Sequence, residues 1–532
     1  MKYVGLLMAA SLIFTALPTM ETQAFDGYVK AATYTSDAWV SNFWNTESDH
    51  MDEELAQIHA DGFNSIILVI PWREFQPDTV PISYNSYAFS KLDRVMDSAG
   101  NHGLGVVIRL GYTWDYYADE ASSQRFRELL REPRIQEAWM DYARKVYQAA
   151  SAHGNFRGGF MTWEDMWNYV EDATNFGDGQ RSKTEAEQIG FHDYLRKHYS
   201  VKELNKIYNP TEDFAKYEDV YIPSRSQAAY RLFFEFYDDW LNETLTTTQK
   251  VFPGLSMEVR LDWDVISGGS DDGSDLSFTH ESTYACGNAD FTSTMYSVSM
   301  GQAQGAQLGA GQAVDGMTKK LAYLREHNDG KPVFIDQLLY MDETEGFENN
   351  ARLQPSQRGA FLTGITGALS AHTNGYGIWT YRNYGNNPVY NCQFALGSKG
   401  WDVSGGSVAE HDGSRMMRLG EGGSVSQKIG HRIGGRTTHD NHVRFTADSD
   451  EPVTVTVTMG LESREVTVEG RKDYDLNFGE LSYYSVEFTS DGIVWLDNIQ
   501  VYNFVQDGQL YDIDGSALSC IGSMRALNAA MP

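Results

Sequence analysis

The run MTWEDMWN sets two carboxylates, Glu164 and Asp165, directly after a short apolar stretch. A second run, PVFIDQ, ends in Asp336 and Gln337. A third, MEVRLDWD, alternates Glu258, Arg260 and Asp262 onto one side of an extended segment. Aromatic and charged residues occupy similar positions elsewhere: Trp72, Arg73 and Glu74 in PWREFQP, Tyr296 in MYS, and Trp379, Tyr381 and Arg382 in YGIWTYRNYG. Carboxylates, an Arg and flat aromatic faces around one opening suit sugar chemistry. Glycosidic cleavage needs one protonated carboxylic acid for the leaving oxygen, and one carboxylate as nucleophile or as base toward water. Glu164 and Asp336 are the candidates for that pair, and Trp72, Trp163, Arg260, Tyr296, Gln337 and Trp379 for contacts with substrate. Trp114 is a further candidate sugar platform. There is no CxxC or HExxH, and the 13 histidines show no ligand-like spacing, so no metal site or cofactor is expected in this region.

Residues scattered over two hundred positions need a frame that gathers them. From 25 to 395 short apolar or β-branched runs alternate with longer amphipathic stretches. The expected strands are 28–34, 65–70, 105–110, 159–163, 256–261, 290–295, 333–338 and 376–380, with helical patterns at 51–60, 89–102, 134–152, 229–251 and 313–327. Strand–helix alternation argues for a parallel sheet, and eight such strands argue for an α/β fold of the (β/α)8 TIM barrel type. Active sites of such barrels form at the C-terminal ends of the strands, which is where the runs quoted above fall. A large insertion, 168–228, follows the fourth strand on that same face. No GxGxxG follows an early strand, which counts against a nucleotide-binding open sheet.

These strand ends resemble glycoside hydrolase clan A, retaining β-glycosidases on a (β/α)8 barrel. The resemblance implies an acid/base Glu ending the fourth strand, matched by Glu164, and a Trp ending the eighth, matched by Trp379. The segment FHDYLRKHYSVKELNKIYNPTEDF, from Phe191, is similar to one in the bacterial β-galactosidases of glycoside hydrolase family 42. Two positions depart from the clan pattern. Trp163 stands where an Asn commonly precedes the acid/base, and Gln337 stands where the seventh strand commonly carries its nucleophilic Glu. A neutral Gln cannot act as a carboxylate nucleophile. Four readings stay open: Asp336 takes the role through a local register shift; a substrate acetamido group is the nucleophile; Glu258 or Glu345 supplies the carboxylate; or the chain is a glycan-binding relative that has lost hydrolysis. Plainer roles stand beside these, with Glu164 a salt-bridge partner of Arg260 and Asp336 a loop cap or a partner of Arg382.

After about residue 396 the pattern changes to short alternating strands, 401–403, 415–419, 443–447, 453–459, 465–469, 483–488 and 494–502, separated by Gly-, Asp- and Ser-rich turns. The spacing predicts an antiparallel β-sandwich over 396–505, and 506–532 is left as an unassigned tail. The runs GWDVSGG, HDGSRMMRLGEGGSVSQKI and IVWLDNIQVYN resemble jelly-roll carbohydrate-binding modules, which implies a structural calcium site near Asp497 and Asn498. Two side chains fall short of the roughly 6–8 oxygens that calcium takes.

Composition bounds the rest. The chain has 532 residues, with 73 Asp and Glu against 42 Lys and Arg, a net charge of −31. Such a polyanion repels phosphate backbones, so nucleic acid and anionic membranes are poor partners, and a carbohydrate substrate is the expected one. The N-terminus, with Lys2, an apolar run from Val4 to Leu17 and a polar stretch to Ala24, reads as a signal peptide over 1–24 and predicts a secreted protein. The three cysteines, Cys286, Cys392 and Cys520, allow at most one disulfide. Nothing in the sequence sets the oligomeric state.

Overall fold

The structure is a computed structural model that describes residues 26–47, 50–259, 264–266, 276–278, 288–299, 302–341, 350–429, 440–480, 485–506 and 508–532. The segment 1–25, expected to hold a signal peptide, and Arg260, Asp262, Cys286 and Glu345 lie outside the described residues.

Eight parallel strands close into a barrel: β1 Val29–Thr33, β2 Ser65–Ile70, β3 Gly105–Leu110, β4 Phe156–Met161, β5 Ser256–Val259, β6 Thr292–Ser297, β7 Val333–Leu339 and β8 Gly375–Ile378. Each pairs with its sequence neighbours, and β8 returns to β1. The fold class expected from sequence is the one observed. SIILVI in β2 is buried throughout, as a β-branched strand covered on both faces must be. Alternation splits the side chains of the barrel into two sets. Ala31, Ile67, Val107, Phe160 and Phe334 form one cluster inside the barrel. Ile66, Leu68, Val106, Ile108 and Ile335 join the larger core shared with the surrounding helices. Helix Pro133–Ala150 shows the matching stripe, with Ile135, Ala138, Trp139, Tyr142, Ala143 and Val146 buried.

The tail left unassigned by sequence completes the helical ring. Helix Ile521–Ala530 packs on helix Arg358–Gly364, and its Met524 and Leu527 enter the barrel core. Asn528 donates to the Asp61 carbonyl at 2.8 Å and accepts from the Tyr376 hydroxyl. Arg525 Nε reaches the buried Asp61 carboxylate at 2.8 Å. The antiparallel domain is therefore inserted between the eighth strand and the helix that follows it in space.

That domain is one nine-stranded antiparallel sheet around a single apolar core. Its strands are β9 Tyr384–Asn386, β10 Asp402–His411, β11 Ser414–Lys428, β12 Asn441–Asp448, β13 Val453–Met459, β14 Glu462–Val468, β15 Lys472–Gly479, β16 Ser485–Ser490 and β17 Val494–Val505. The order is β14-β13-β16-β11-β17-β12-β15, with β9 beside β17 and β10 beside β11. VTVTVTM in β13 alternates buried and half-buried residues, as a strand with one solvated face does. Several contacts fasten this domain to the first barrel loop, among them those of Gly385 with Asp37 and Trp39. Asn42 and Asn387 exchange side chain–backbone bonds at 2.7 and 3.0 Å, and the Cys392 thiol donates to the Asn45 carbonyl at 2.9 Å. Cys392 and Cys520 are both buried free thiols. Among the described residues no helix is long and apolar enough to cross a membrane.

Candidate active site at the barrel mouth

Thr162 ends the extended path of β4 and caps the next helix, accepting from the Asp165 amide at 3.3 Å. Trp163, Glu164 and Asp165 thus sit in the first turn of helix Trp163–Ala173. The sequence expectation put Trp163 at the end of the strand; the Thr-x-x-Asp capping pattern moves the boundary back by two residues. The two carboxylates have opposite surroundings. Asp165 is buried, and its Oδ2 accepts from Arg109 Nη2 at 3.0 Å and Nε at 3.3 Å. Burial raises the Asp165 pKa, and the Arg109 charge works against that rise. The Glu164 side chain is 32% exposed and lies 3.6 Å from Arg109 Nη2. Arg109 itself is buried, donates to Thr162 Oγ1 at 3.1 Å and lies over the Tyr112 ring. Burial works to lower its pKa, but Asp165 and Glu164 hold it above the ordinary guanidinium value.

Sequence reading missed Arg109, although an Arg inside the otherwise apolar run GVVIRL is itself a signal. A buried charge in a strand needs a countercharge nearby.

Across the mouth, β7 carries a bulge. Thr294 pairs with Ile335 and the next residue, Met295, with Gln337; toward β8, Ile335 pairs with Tyr376 and Leu338 with Ile378. One extra residue therefore sits between Ile335 and Leu338. Both of those side chains belong to the outer core, so Asp336 and Gln337 together fill a place that regular alternation gives to one residue. Asp336 is fully buried and accepts from the Ser293 hydroxyl, and Gln337 is 5% exposed. Ser293 pairs in register with Glu258 on β5, whose carboxylate is also buried and close enough to act on the Arg109 charge. Glu164 from the helical turn after β4, Glu258 from β5, and Asp336 and Gln337 from β7 thus belong to one barrel.

The aromatic residues divide. Trp379 belongs to a cluster with Trp39, Tyr112, Met295, Leu339 and Tyr384, with Trp39 edge-on to it at 6.0 Å. Trp114, in the loop after β3, is 41% exposed and its carbonyl accepts from Trp39 Nε1 at 2.6 Å. Trp163 packs toward Phe234 of helix Tyr230–Thr248. Trp72 and Tyr296 are not gathered at the mouth. Trp72 is buried against Trp139, Phe126 and Tyr142 and donates to Gln76 Oε1 at 2.7 Å. Tyr296 follows the inward Met295, so alternation turns it outward, where its hydroxyl donates to the Ala313 carbonyl at 3.3 Å. Arg382 pairs with Glu54 rather than with Asp336.

Arg73 and Glu74 form a separate buried cluster behind the loops. Arg73 makes a two-pronged bond to Asp119 at 2.7 and 2.6 Å and lies between the Tyr117 and Tyr390 rings. Glu74 accepts from Asn45, while its Oε1 has no hydrogen-bond partner among the described residues. Burial pushes the Glu74 carboxyl up to about 7, with Arg73 opposing. The unfolded chain releases that proton from an ordinary carboxylate value upward, whereas the folded chain keeps it until about 7. The Glu74 contribution is therefore fully present below the unfolded value and is lost as pH rises through the folded one. Glu74→Gln should gain about 3 kcal/mol on the native protein between pH 4.5 and pH 8. Denaturant unfolding of both proteins at the two pH values checks this; a constant difference would show that Glu74 ionises normally.

In the antiparallel domain Asp497 accepts from Ser414 at 2.8 Å, and Asn498 Oδ1 accepts from Gln393 and Gln500 at 3.1 and 2.8 Å. The one group of three His, Cys, Asp or Glu side chains close enough to share an ion, among the described residues, is His411, Asp412 and Asp448.

No family model matches the sequence, and no curated protein matches it. Solved structures found to be similar to this chain include GH5_18 from Streptomyces cattleya in complex with GlcNAc, at 15% identity and a TM-score of 0.42, over 67% of this chain and 72% of that one. Another is the exo-β-1,4-mannosidase Op5Man5 from Opitutaceae bacterium strain TAV5, at 13% identity and a TM-score of 0.42, over 67% and 53%. A third is a β-galactosidase from the psychrophilic Marinomonas ef1, at 11% identity and a TM-score of 0.45, over 66% and 54%. The chain thus spans about half the length of the last two.

Proposed function

We propose that the protein is a secreted glycoside hydrolase that cleaves a β-linked oligo- or polysaccharide, with Glu164 as general acid/base. The observation that carries this reading is the contrast between adjacent carboxylates. Asp165 is buried and tied to Arg109, while Glu164 in the same helical turn stays open to the mouth and is steadied from one side by that guanidinium. A proton donor must meet a substrate oxygen, and a group already committed to a buried ion pair cannot. In the forward step the Glu164 carboxylic acid gives its proton to the glycosidic oxygen as the bond to the anomeric carbon breaks. Asp336, two residues beyond the inward Phe334 on β7, is the proposed partner that attacks the anomeric carbon or activates a water. A carboxyl separation of roughly 5–5.5 Å favours retention and roughly 6.5–9.5 Å leaves room for water and inversion. Trp379 and Trp114 are the aromatic faces offered to sugar rings, and Arg260 and Gln337 are polar contacts proposed from sequence.

One observation favours a second reading, a glycan-binding protein without hydrolysis. Asp336 is fully buried and accepts from Ser293, and the neighbouring side chain is the neutral Gln337. Two variants separate the readings. If Asp336 works, Asp336→Asn should lose activity by at least a hundredfold and Gln337→Glu should gain none. A large gain in Gln337→Glu would mean that the chain lacks a working nucleophile.

A further inference from the structure

A cleft of about 340 Å³ runs between the loop after β1 and the outer face of the antiparallel sheet. That volume is at the lower end for small-molecule sites. Its barrel side carries Asp37, Asn42 and Glu47, its floor Asn387, and its sheet side Arg444, Asp475 and Gln500. It opens on the same side of the barrel as the mouth, because it is built on segments that follow β1 and β8. The Trp39–Tyr384 pair, with ring centroids 5.1 Å apart, belongs to the aromatic wall of the mouth, and Tyr384 and Asn387 both follow β8.

We propose that this cleft binds a neutral, hydroxyl-rich saccharide unit and presents the rest of the glycan to the barrel mouth. The inference shares the saccharide ligand with the proposed function but does not use Glu164. Three observations carry it.

First, donors and acceptors alternate along the sheet side and are held in place. Arg444 lies over the Tyr502 ring with Nε 3.3 Å from Asp475, and Tyr502 donates to Asp475 at 2.7 Å. Arg444 and Gln500 stand opposite each other in register on β12 and β17. A hydroxyl both donates and accepts, so adjacent hydroxyls match such an alternating row.

Second, Asn387 is 2% exposed, and its Nδ2 has no hydrogen-bond partner among the described residues. Its Oδ1 accepts from the Val389 and Val501 amides at 3.1 and 3.0 Å, which fixes the amide; the donor itself is shielded from solvent in a residue that lines the cleft. Burying an amide donor without a partner is costly, and a ligand oxygen that meets it after a small adjustment of the floor would relieve that cost.

Third, charge and spacing narrow the ligand. Asp37, Glu47, Asp473 and Asp475 line the cleft, and Arg444 is the one cation among the described lining residues, which disfavours anionic glycans. Among the described residues these carboxylates are not in a group close enough to share an ion.

The test uses the full chain carrying Glu164→Gln, titrated calorimetrically with neutral β-linked manno-, galacto- and gluco-tetrasaccharides. Adding Arg444→Ala and Gln500→Ala should weaken binding of the best ligand at least tenfold, and Gln500→Ala alone at least threefold. In the active protein the same changes should lower hydrolysis of long glycans and leave hydrolysis of a small aryl glycoside, which fills the mouth alone, unchanged. Unaltered affinity in both cleft variants, or no binding of any tetrasaccharide by the parent, would overturn the proposal. Loss of binding without any hydrolysis by the wild type would still support the cleft while refuting the role of Glu164.

Discussion

Glu164→Gln is expected to lower turnover on an unactivated glycan by about 10²–10⁴-fold. The amide keeps the volume of the carboxyl group but has no acidic proton to give. Glu164 is part-exposed, and its one ion pair among the described residues is the 3.6 Å contact with Arg109, so the fold should survive. The size of the loss should depend on the leaving group. A dinitrophenolate departs without protonation, so kcat/KM on the corresponding aryl glycoside should fall far less than on a natural glycan. An equal fall on both would assign Glu164 to substrate positioning.

Arg109→Met should destabilise the protein by about 3–5 kcal/mol, because removing one partner of a buried ion pair strands the other charge. The stranded group is Asp165, buried and bonded by two Arg109 nitrogens. Two of its other partners, the Thr162 hydroxyl and the Thr113 amide at 3.2 Å, are neutral. The double variant Arg109→Met, Asp165→Asn removes the charge as well and should recover more than half of the loss. Denaturant midpoints measure both. If the double variant is no more stable than Arg109→Met, packing of the guanidinium rather than its charge is what matters.

The barrel was legible because its strands repeat a simple physical signal. Ser65–Ile70 and Gly105–Leu110 were expected to the residue, since an apolar, β-branched run between helices has few alternatives. β4 was harder. FRGGFM has two glycines, and Gly159 is there because a Cβ would meet Phe252 at 2.8 Å, a tertiary cause that leaves no local pattern. β15, Lys472–Gly479, was missed because the strand is mostly exposed and polar. The β7 bulge is likewise silent in PVFIDQ, since it appears only when β6 and β8 are paired with it. Trp72 and Tyr296 illustrate the limit for sites. A residue near a strand end is on the mouth side, but whether it faces inward depends on a register that one residue can invert.

The most direct measurement is the release of new reducing ends from a panel of β-linked manno-, galacto- and glucosaccharides, by the wild type and Glu164→Gln side by side. The account predicts release from at least one glycan by the wild type and near-complete loss in the variant. Release at equal rates by both proteins, or from no glycan by the wild type, would contradict it.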